Sequence, residues 1–127
     1  MSLWRRQSGQ RGEELAVAYL QRQGYRVQQQ NYRCRRGEID IIAWDGAILV
    51  FVEVKTKGQT AFGAPQAMVH QQKQQKIVSA AMTYVQQQAI QGVALRFDVV
   101  AVTLRPRGTP EITHIPAAFS PSGYFSY

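Results

Sequence analysis

At 127 residues, 45% of them apolar, the chain has the size of one domain able to bury roughly two-thirds of its unfolded surface, and no apolar run approaches the length of a membrane span or a secretory leader. The single cysteine, Cys34, excludes an internal disulfide, and with only His70 and His114 to join it there is no zinc-site spacing. A net charge of +7 and a pI near 10.0 point to a polyanionic partner, and the lack of a strongly basic amphipathic helix favours nucleic acid over a membrane surface, in a soluble cytoplasmic protein.

Residues 1–7, with Trp4, Arg5 and Arg6, show neither helical nor strand periodicity and read as a flexible segment whose arginines are free to touch phosphate. From Ser8 or Gly9 to Gln23 the spacing of Leu15, Ala16, Tyr19 and Leu20 is helical, with Ser8 as an N-cap and Gly24 as a stop. Glu13 falls on the face of Ala16, Val17 and Leu20 and points inward; Glu14 falls with Val17, Ala18 and Gln21. The helix dipole favours any carboxylate in a first turn, which accounts for Glu14 and competes evenly with a functional role for Glu13.

Tyr25 to Tyr32 reads as a strand with mostly polar exposed positions. Arg33-Cys34-Arg35-Arg36 then forms a basic connection that enters the strand carrying Glu38 and Asp40. Arg33, Arg35 and Arg36 together would guide a phosphate backbone toward that strand, although each alone reads equally well as a solvated charge.

The segment from Gly37 to Lys55 is the most apolar part of the chain and still carries charges inside its apolar runs. Its two halves, rich in Ile and Val and separated by Asp45-Gly46, read as a β-hairpin with a type I′ loop. That loop sets Asp40 opposite Phe51, makes Glu53 the diagonal neighbour of Asp40 at roughly 7–8 Å, and leaves Lys55 on the same face. Two carboxylates so placed suit a hard cation such as Mg²⁺, which takes oxygen ligands at about 2.0–2.1 Å and keeps waters and phosphate oxygens for its other positions. Lys55 would orient an attacking water and stabilise charge on a phosphoryl group. Charges that merely end a strand at the solvent boundary are the simpler reading. Asp40 weighs against it, because it sits between Ile39 and Ile41, where a buried charge needs a partner or a metal.

Thr56 to Ala64, including Lys57, lacks periodicity and reads as a loop. Pro65 opens a helix to about Ala89 with Met68, Val69, Ile77, Ala81, Tyr84 and Val85 as apolar contacts. Lys57 in the loop, with Lys73 and Lys76 on the helix, are candidates for phosphate contact, and a solvated face explains the helical pair equally well. Leu95 to Leu104 reads as a strand in which Asp98 is a satisfied structural carboxylate. Glu111 to Ile115 closes the domain as a short strand. Residues 8–115 thus form a single domain, followed at 116–127 by a Ser, Pro and aromatic tail of undecided order.

The order helix, strand, hairpin, helix, strand, with Glu13 on the first helix, Asp40 on one hairpin arm and Glu53-Val54-Lys55 on the other, resembles the PD-(D/E)XK nuclease superfamily. Gly9-Gln10-Arg11-Gly12-Glu13, Asn31-Tyr32-Arg33, Gly37-Glu38-Ile39-Asp40, Val50-Phe51-Val52-Glu53-Val54-Lys55 and Arg96-Phe97-Asp98-Val99-Val100 further resemble the YraN-type family of uncharacterised bacterial proteins. That family is related in core pattern to archaeal Holliday junction resolvases. The resemblance spans about residues 8–104, and Ile39 stands where the superfamily carries its proline. It implies an α/β fold with a restriction-endonuclease-like αβββαβ core, a mixed sheet flanked by helices, cleavage of phosphodiester bonds with Mg²⁺ or Mn²⁺, and a two-fold homodimer on branched DNA. By position it makes Glu13, Asp40 and Glu53 metal ligands or their supports, and Lys55 the catalytic lysine. The expected function is a divalent-metal-dependent DNA endonuclease; the alternative is a non-catalytic nucleic-acid-binding accessory protein.

Overall fold

The structure, a computed structural model, describes the backbone of residues 3–58 and 71–121, and side chains from Arg6 onward. Its elements are α1 (Leu3–Arg22), β1 (Arg26–Cys34), β2 (Gly37–Asp45), β3 (Ile48–Gly58), α2 (Gln71–Gln87), β4 (Leu95–Leu104) and β5 (Glu111–Phe119). The strands form one five-stranded sheet in the order β1-β2-β3-β4-β5. β3 and β4 are parallel and every other neighbouring pair is antiparallel. A parallel pair needs a long crossover, and α2 lies within it. The αβββαβ order expected from the sequence is therefore present, with β5 added at the edge.

The helices lie on opposite faces of the sheet. Ala16 and Leu20 of α1 pack against Ile41, Ala43, Val50, Val52, Val100 and Val102, while Ile77, Ala81, Tyr84 and Val85 of α2 pack against Ile42, Leu49, Phe51, Phe97 and Val99. Leu49 to Val52 reads as an unbroken apolar run because β3 is covered on both faces. Burying each such side chain stabilises the fold by about 1.5–3 kcal/mol. An aromatic series, Tyr32 on Tyr84, Tyr84 on Phe51, Phe51 on Phe97 and Phe97 on Phe119, ties α2 to the sheet from β1 across to β5.

Both helices end in a Schellman motif. In α1, Gly24 (φ 95°) supplies the left-handed residue, with Tyr25 N–H donating to Leu20 O at 2.9 Å; in α2 Ala89 (φ 53°) does so, with Ile90 N–H donating to Val85 O at 3.0 Å. Among the described residues no helix is long and apolar enough to cross a membrane.

Several boundaries differ from the sequence expectation. Helix α1 begins at Leu3, so residues 3–7 are helical although they lack an apolar stripe. β1 continues to Cys34, which leaves only Arg35-Arg36 as its turn into β2, and β3 continues to Gly58, so Lys57 is a strand residue rather than a loop residue. The expected start of α2 at Pro65, with Met68 and Val69, lies outside the described residues, and α2 stops at Gln87 rather than Ala89. β5 runs through Phe119 because the strand is bulged rather than ended near Ala117 (φ 51°). Residues 116–119 of the expected tail are thus sheet; residues 122–127 lie outside the described residues.

Candidate active site

The hairpin loop is Gly46-Ala47, not Asp45-Gly46: Asp45 pairs with Ile48 and Trp44 with Leu49. Of the loop residues only Gly46 has a positive φ, 60°, the pattern of a type II′ turn with glycine first. Moving the loop by one residue moves the register by two, which preserves side-chain alternation. Continued by one step beyond its last pair, Ile41 with Val52, this register would set Glu53 opposite Asp40 rather than diagonal to it.

Asp40 reaches the site by a break in regular pairing. The β2–β3 ladder stops at Ile41↔Val52, and Asn31 and Asp40 are the one step skipped between Gln30↔Ile41 and Tyr32↔Ile39. Ile39 and Ile42 both join the α2-side core while Ile41 joins the α1-side core, so alternation fails at Asp40. Asn31 holds this kink with φ 53°, a left-handed conformation that Asn tolerates better than most side chains. Instead of a ladder bond, Asp40 Oδ2 accepts the backbone N–H of Val54 at 2.7 Å.

Glu13, Asp40, Glu53, Lys55 and Lys73 line one open cleft of about 410 Å³, with Ser8 and Thr56 at its wall. The helix is admitted by Gly12, where a Cβ would lie 1.8 Å from Thr56 Oγ1. On the other face, Gly37 lets α2 approach: a Cβ there would come within 3.0 Å of the Lys76 carbonyl oxygen. Glu53 is 6% exposed and ion-paired to Lys73 Nζ at 3.3 Å and Lys55 Nζ at 3.6 Å.

Burial, and next the charge of Glu53, push the Asp40 carboxyl up to about 7 against the opposing Val54 amide. Glu13 is raised too, by burial first, with hydrogen bonds to Asn31 and Asp40 pulling the other way. Asp40 therefore holds a proton up to near neutrality, because burial and the neighbouring Glu53 charge disfavour its ionised form. Among the described residues no three carboxylate, imidazole or thiolate groups close into a ready-made metal cage. The donor set nonetheless suits a hard cation, since it offers carboxylate oxygens from three elements and leaves open space for water or phosphate oxygens.

The four residues expected to carry chemistry thus share one cleft, and Lys73 joins them. Arg33, Arg35, Arg36 and Lys57 are absent from its lining. Arg33 pairs with Glu38 at 3.1 Å, both exposed, and the Arg35-Arg36 turn stands beyond Asp40 at the same end of the sheet. The parallel pairing of Gly58 with Leu104 brings the 105–110 connection, with Arg105 and Arg107, to that end as well. Neither was singled out from the sequence as a phosphate contact. Asn31 also went unremarked as a site residue; its one signal is an asparagine in the middle of a strand.

Asp98 is fully buried and does not line the cleft, as befits a structural carboxylate. It accepts from Arg96 Nε at 2.9 Å, His114 Nε2 at 2.8 Å, Tyr25 OH at 3.2 Å and the Ala117 amide at 3.0 Å. Burial alone would raise it, but the bonds from His114 and Arg96 prevail and hold it down at about 2. A larger cleft of about 600 Å³ beside Met82, Val85 and Ile90 has no titratable group in its lining.

Residues 12–102 match the model of Uncharacterised protein family UPF0102. A UPF0102 protein of Geobacter metallireducens is 46% identical over 119 residues, covering 94% of this chain and 97% of that one. Another, from Geobacter sulfurreducens, is 48% identical over 111 residues, 87% of each chain. A third, from Syntrophus aciditrophicus, is 50% identical over 101 residues, 80% of each.

Proposed function

For a chain that belongs to the uncharacterised protein family UPF0102, we propose the function of a divalent-metal-dependent DNA endonuclease of the PD-(D/E)XK type. The observation that carries this reading is the convergence of Glu13 from α1, Asp40 from β2, and Glu53 and Lys55 from β3 on one cleft at the basic end of the sheet. Bound Mg²⁺ or Mn²⁺ would supply Lewis-acid polarisation of the phosphoryl group and activation of water.

The protein's own contributions follow from the geometry. Asp40 and Glu53 would hold the cation from neighbouring strands, and the Val54 amide fixes the orientation of Asp40. Glu13, hydrogen-bonded to Asn31 and Asp40, steadies that carboxylate from the helix side. Lys55 presents its ammonium where charge develops on a phosphate oxygen and where an attacking water is to be oriented. The arginines of the 35–36 turn and the 105–110 connection flank this end and engage the phosphate backbone without reading bases. Branched DNA and a two-fold dimer are the substrate and assembly that fit this class.

One observation favours a second reading, a nucleic-acid-binding accessory protein without catalysis: Glu53 already has two ammonium partners, so the site is internally compensated without metal. Incubating the purified chain with branched, flap and linear DNA, with Mn²⁺ or with chelator, separates the two. On the nuclease reading, cleavage should require Mn²⁺ and be lost in Asp40→Ala and Glu53→Ala, which should still bind DNA. Salt-sensitive binding with no metal-dependent nicking on any substrate would establish the accessory role instead.

A further inference from the structure

Glu53 has two cationic partners that differ in kind. Lys55 stands two positions along the same strand, with its side chain 27% exposed. Lys73 reaches across from α2, approaches the same oxygen, Oε1, more closely at 3.3 Å, and keeps 44% of its side chain exposed. Lys73 therefore has room to swing away into solvent, while Lys55 is held by the pleat of β3.

We infer that Lys73 is a tethered counter-ion, which occupies Glu53 in the metal-free protein, is displaced when a divalent cation binds, and then serves as a phosphate contact for nucleic acid at the mouth of the cleft. The inference rests on the reading of this cleft as a metal site. A divalent ion needs the carboxylate oxygens of Glu53 at about 2.0–2.1 Å, and an ammonium on the same oxygen competes for the same lone pairs. The two cations also repel each other, strongly so in a half-buried cleft. Asp40 feels the Lys73 charge as well, which lowers its carboxyl against burial and Glu53. Metal loading thus removes Lys73 from both carboxylates at once and frees a positive charge on the helix bordering the site.

Such coupling is reciprocal. A phosphate that draws Lys73 away from Glu53 vacates the oxygen that the metal requires, so DNA tightens metal binding by the same factor as metal tightens DNA binding through this residue. Substrate presence then favours loading of the cleft, and the free protein carries its own substitute charge.

The test compares the wild type with Lys73→Gln and Lys73→Arg, titrating Mn²⁺ by calorimetry at a pH where the carboxylates are ionised. Lys73→Gln should bind Mn²⁺ roughly three- to tenfold more tightly, and Lys73→Arg, which restores the charge, should stay within about twofold of the wild type. A second measurement uses duplex DNA over a salt series, with Ca²⁺ to permit binding without turnover, or with chelator. The wild-type slope should steepen with Ca²⁺ by about 0.9 more than the slope of Lys73→Gln does, the contribution of one phosphate contact. Equal Mn²⁺ affinity in wild type and Lys73→Gln would overturn the counter-ion role while leaving the metal site intact. Absence of Mn²⁺ binding in both would overturn the metal reading and the inference with it.

Discussion

Asp40 is hydrogen-bonded to the residue that stands between Glu53 and Lys55: its carboxylate accepts the Val54 amide N–H at 2.7 Å. The bond spans the place where the β2–β3 ladder ends, so it holds three charged side chains in mutual register just where backbone pairing no longer does.

That position makes Asp40 a pH-sensitive element. Its carboxyl is raised from 3.8 to about 7, so the folded state holds the proton more tightly than the unfolded chain. The stabilisation from this group is therefore complete below about pH 4 and is lost as pH rises through about 7. Asp40→Asn keeps an acceptor for the Val54 amide and removes the titration. Urea denaturation in chelator from about pH 4 to about pH 8 should show the wild type losing stability relative to Asp40→Asn as pH rises. Mn²⁺ affinity should fall by about tenfold for each pH unit below about 7, because the proton competes with the metal. Parallel stability profiles for the two proteins would show that Asp40 titrates at its ordinary value.

Glu13 and Glu14 are adjacent in sequence, yet only Glu13 enters the cleft, while Glu14 is exposed. Glu13→Gln should reduce Mn²⁺-dependent nicking by roughly 10- to 100-fold, the usual cost of losing a group that supports a metal ligand. Glu14→Gln should leave the rate unchanged. Single-turnover rates on one nicked substrate measure both, and equal losses would mean that α1 presents a different face to the sheet.

DNA binding should be steep in salt and indifferent to sequence, since each neutralised phosphate contributes about −0.9 to the slope of log affinity against log salt. Replacing Arg33, Arg35 and Arg36 together with Ala should flatten the slope by up to roughly three such contacts. The exposed pair of Arg33 with Glu38 is too weak to withhold Arg33 from phosphate. Arg107→Ala, at the same end of the sheet, should remove about one contact more. Affinity titrations across a salt series read both effects, and an unchanged slope would leave these arginines as solvated charges.

Gly9 and Gly12 lie one turn apart on α1 but have different surroundings. A Cβ on Gly9 meets nothing within 4 Å, whereas on Gly12 it would lie 1.8 Å from Thr56 Oγ1. Gly9→Ala should stabilise the protein by about 0.5–1 kcal/mol through helix propensity alone. Gly12→Ala should forfeit that gain and weaken Mn²⁺ binding, because displacing Thr56 disturbs the wall of the cleft. Denaturation midpoints and metal titrations distinguish them; a stabilised Gly12→Ala protein with normal metal affinity would show that α1 does not need this close approach.

Asp98→Ala should cost about 3–5 kcal/mol, since it leaves the half-buried Arg96 and His114 without their common, fully buried acceptor. The carboxyl is held down at about 2 from 3.8, so its stabilisation is present above pH 3.8 and lost as pH falls toward 2. Thermal unfolding at neutral pH, with an acid titration alongside, checks both statements. An Asp98→Ala protein as stable as the wild type would show that the polar cluster is dispensable.

The sequence by itself determined the order of elements, the inward face of α1 and the gathering of Glu53 and Lys55 beside Asp40. These follow from periodicity, and a period of two survives a register shift of two: the loop moved from Asp45-Gly46 to Gly46-Ala47 and no β3 side chain changed face. The sequence also marked Asp98 as structural, because a carboxylate inside the run Phe97 to Val102 has little prospect of solvent.

Only the tertiary structure decided the rest. The kink at Asn31 and Asp40 depends on two strands bending together, and periodicity within one strand carries no record of its neighbour. The donors to Asp98 come from β4, β5 and Tyr25 in the connection between α1 and β1, brought together by the pairing of β4 with β5 and the packing of α1. The reach of Lys73 to Glu53 is set by where α2 rests on β2, hence by the close approach that Gly37 permits at Lys76. Local sequence specifies which face of an element is apolar through side-chain spacing; the charges that meet at its ends depend on how far elements slide and tilt when those faces pack, a property of volumes contributed by the whole core.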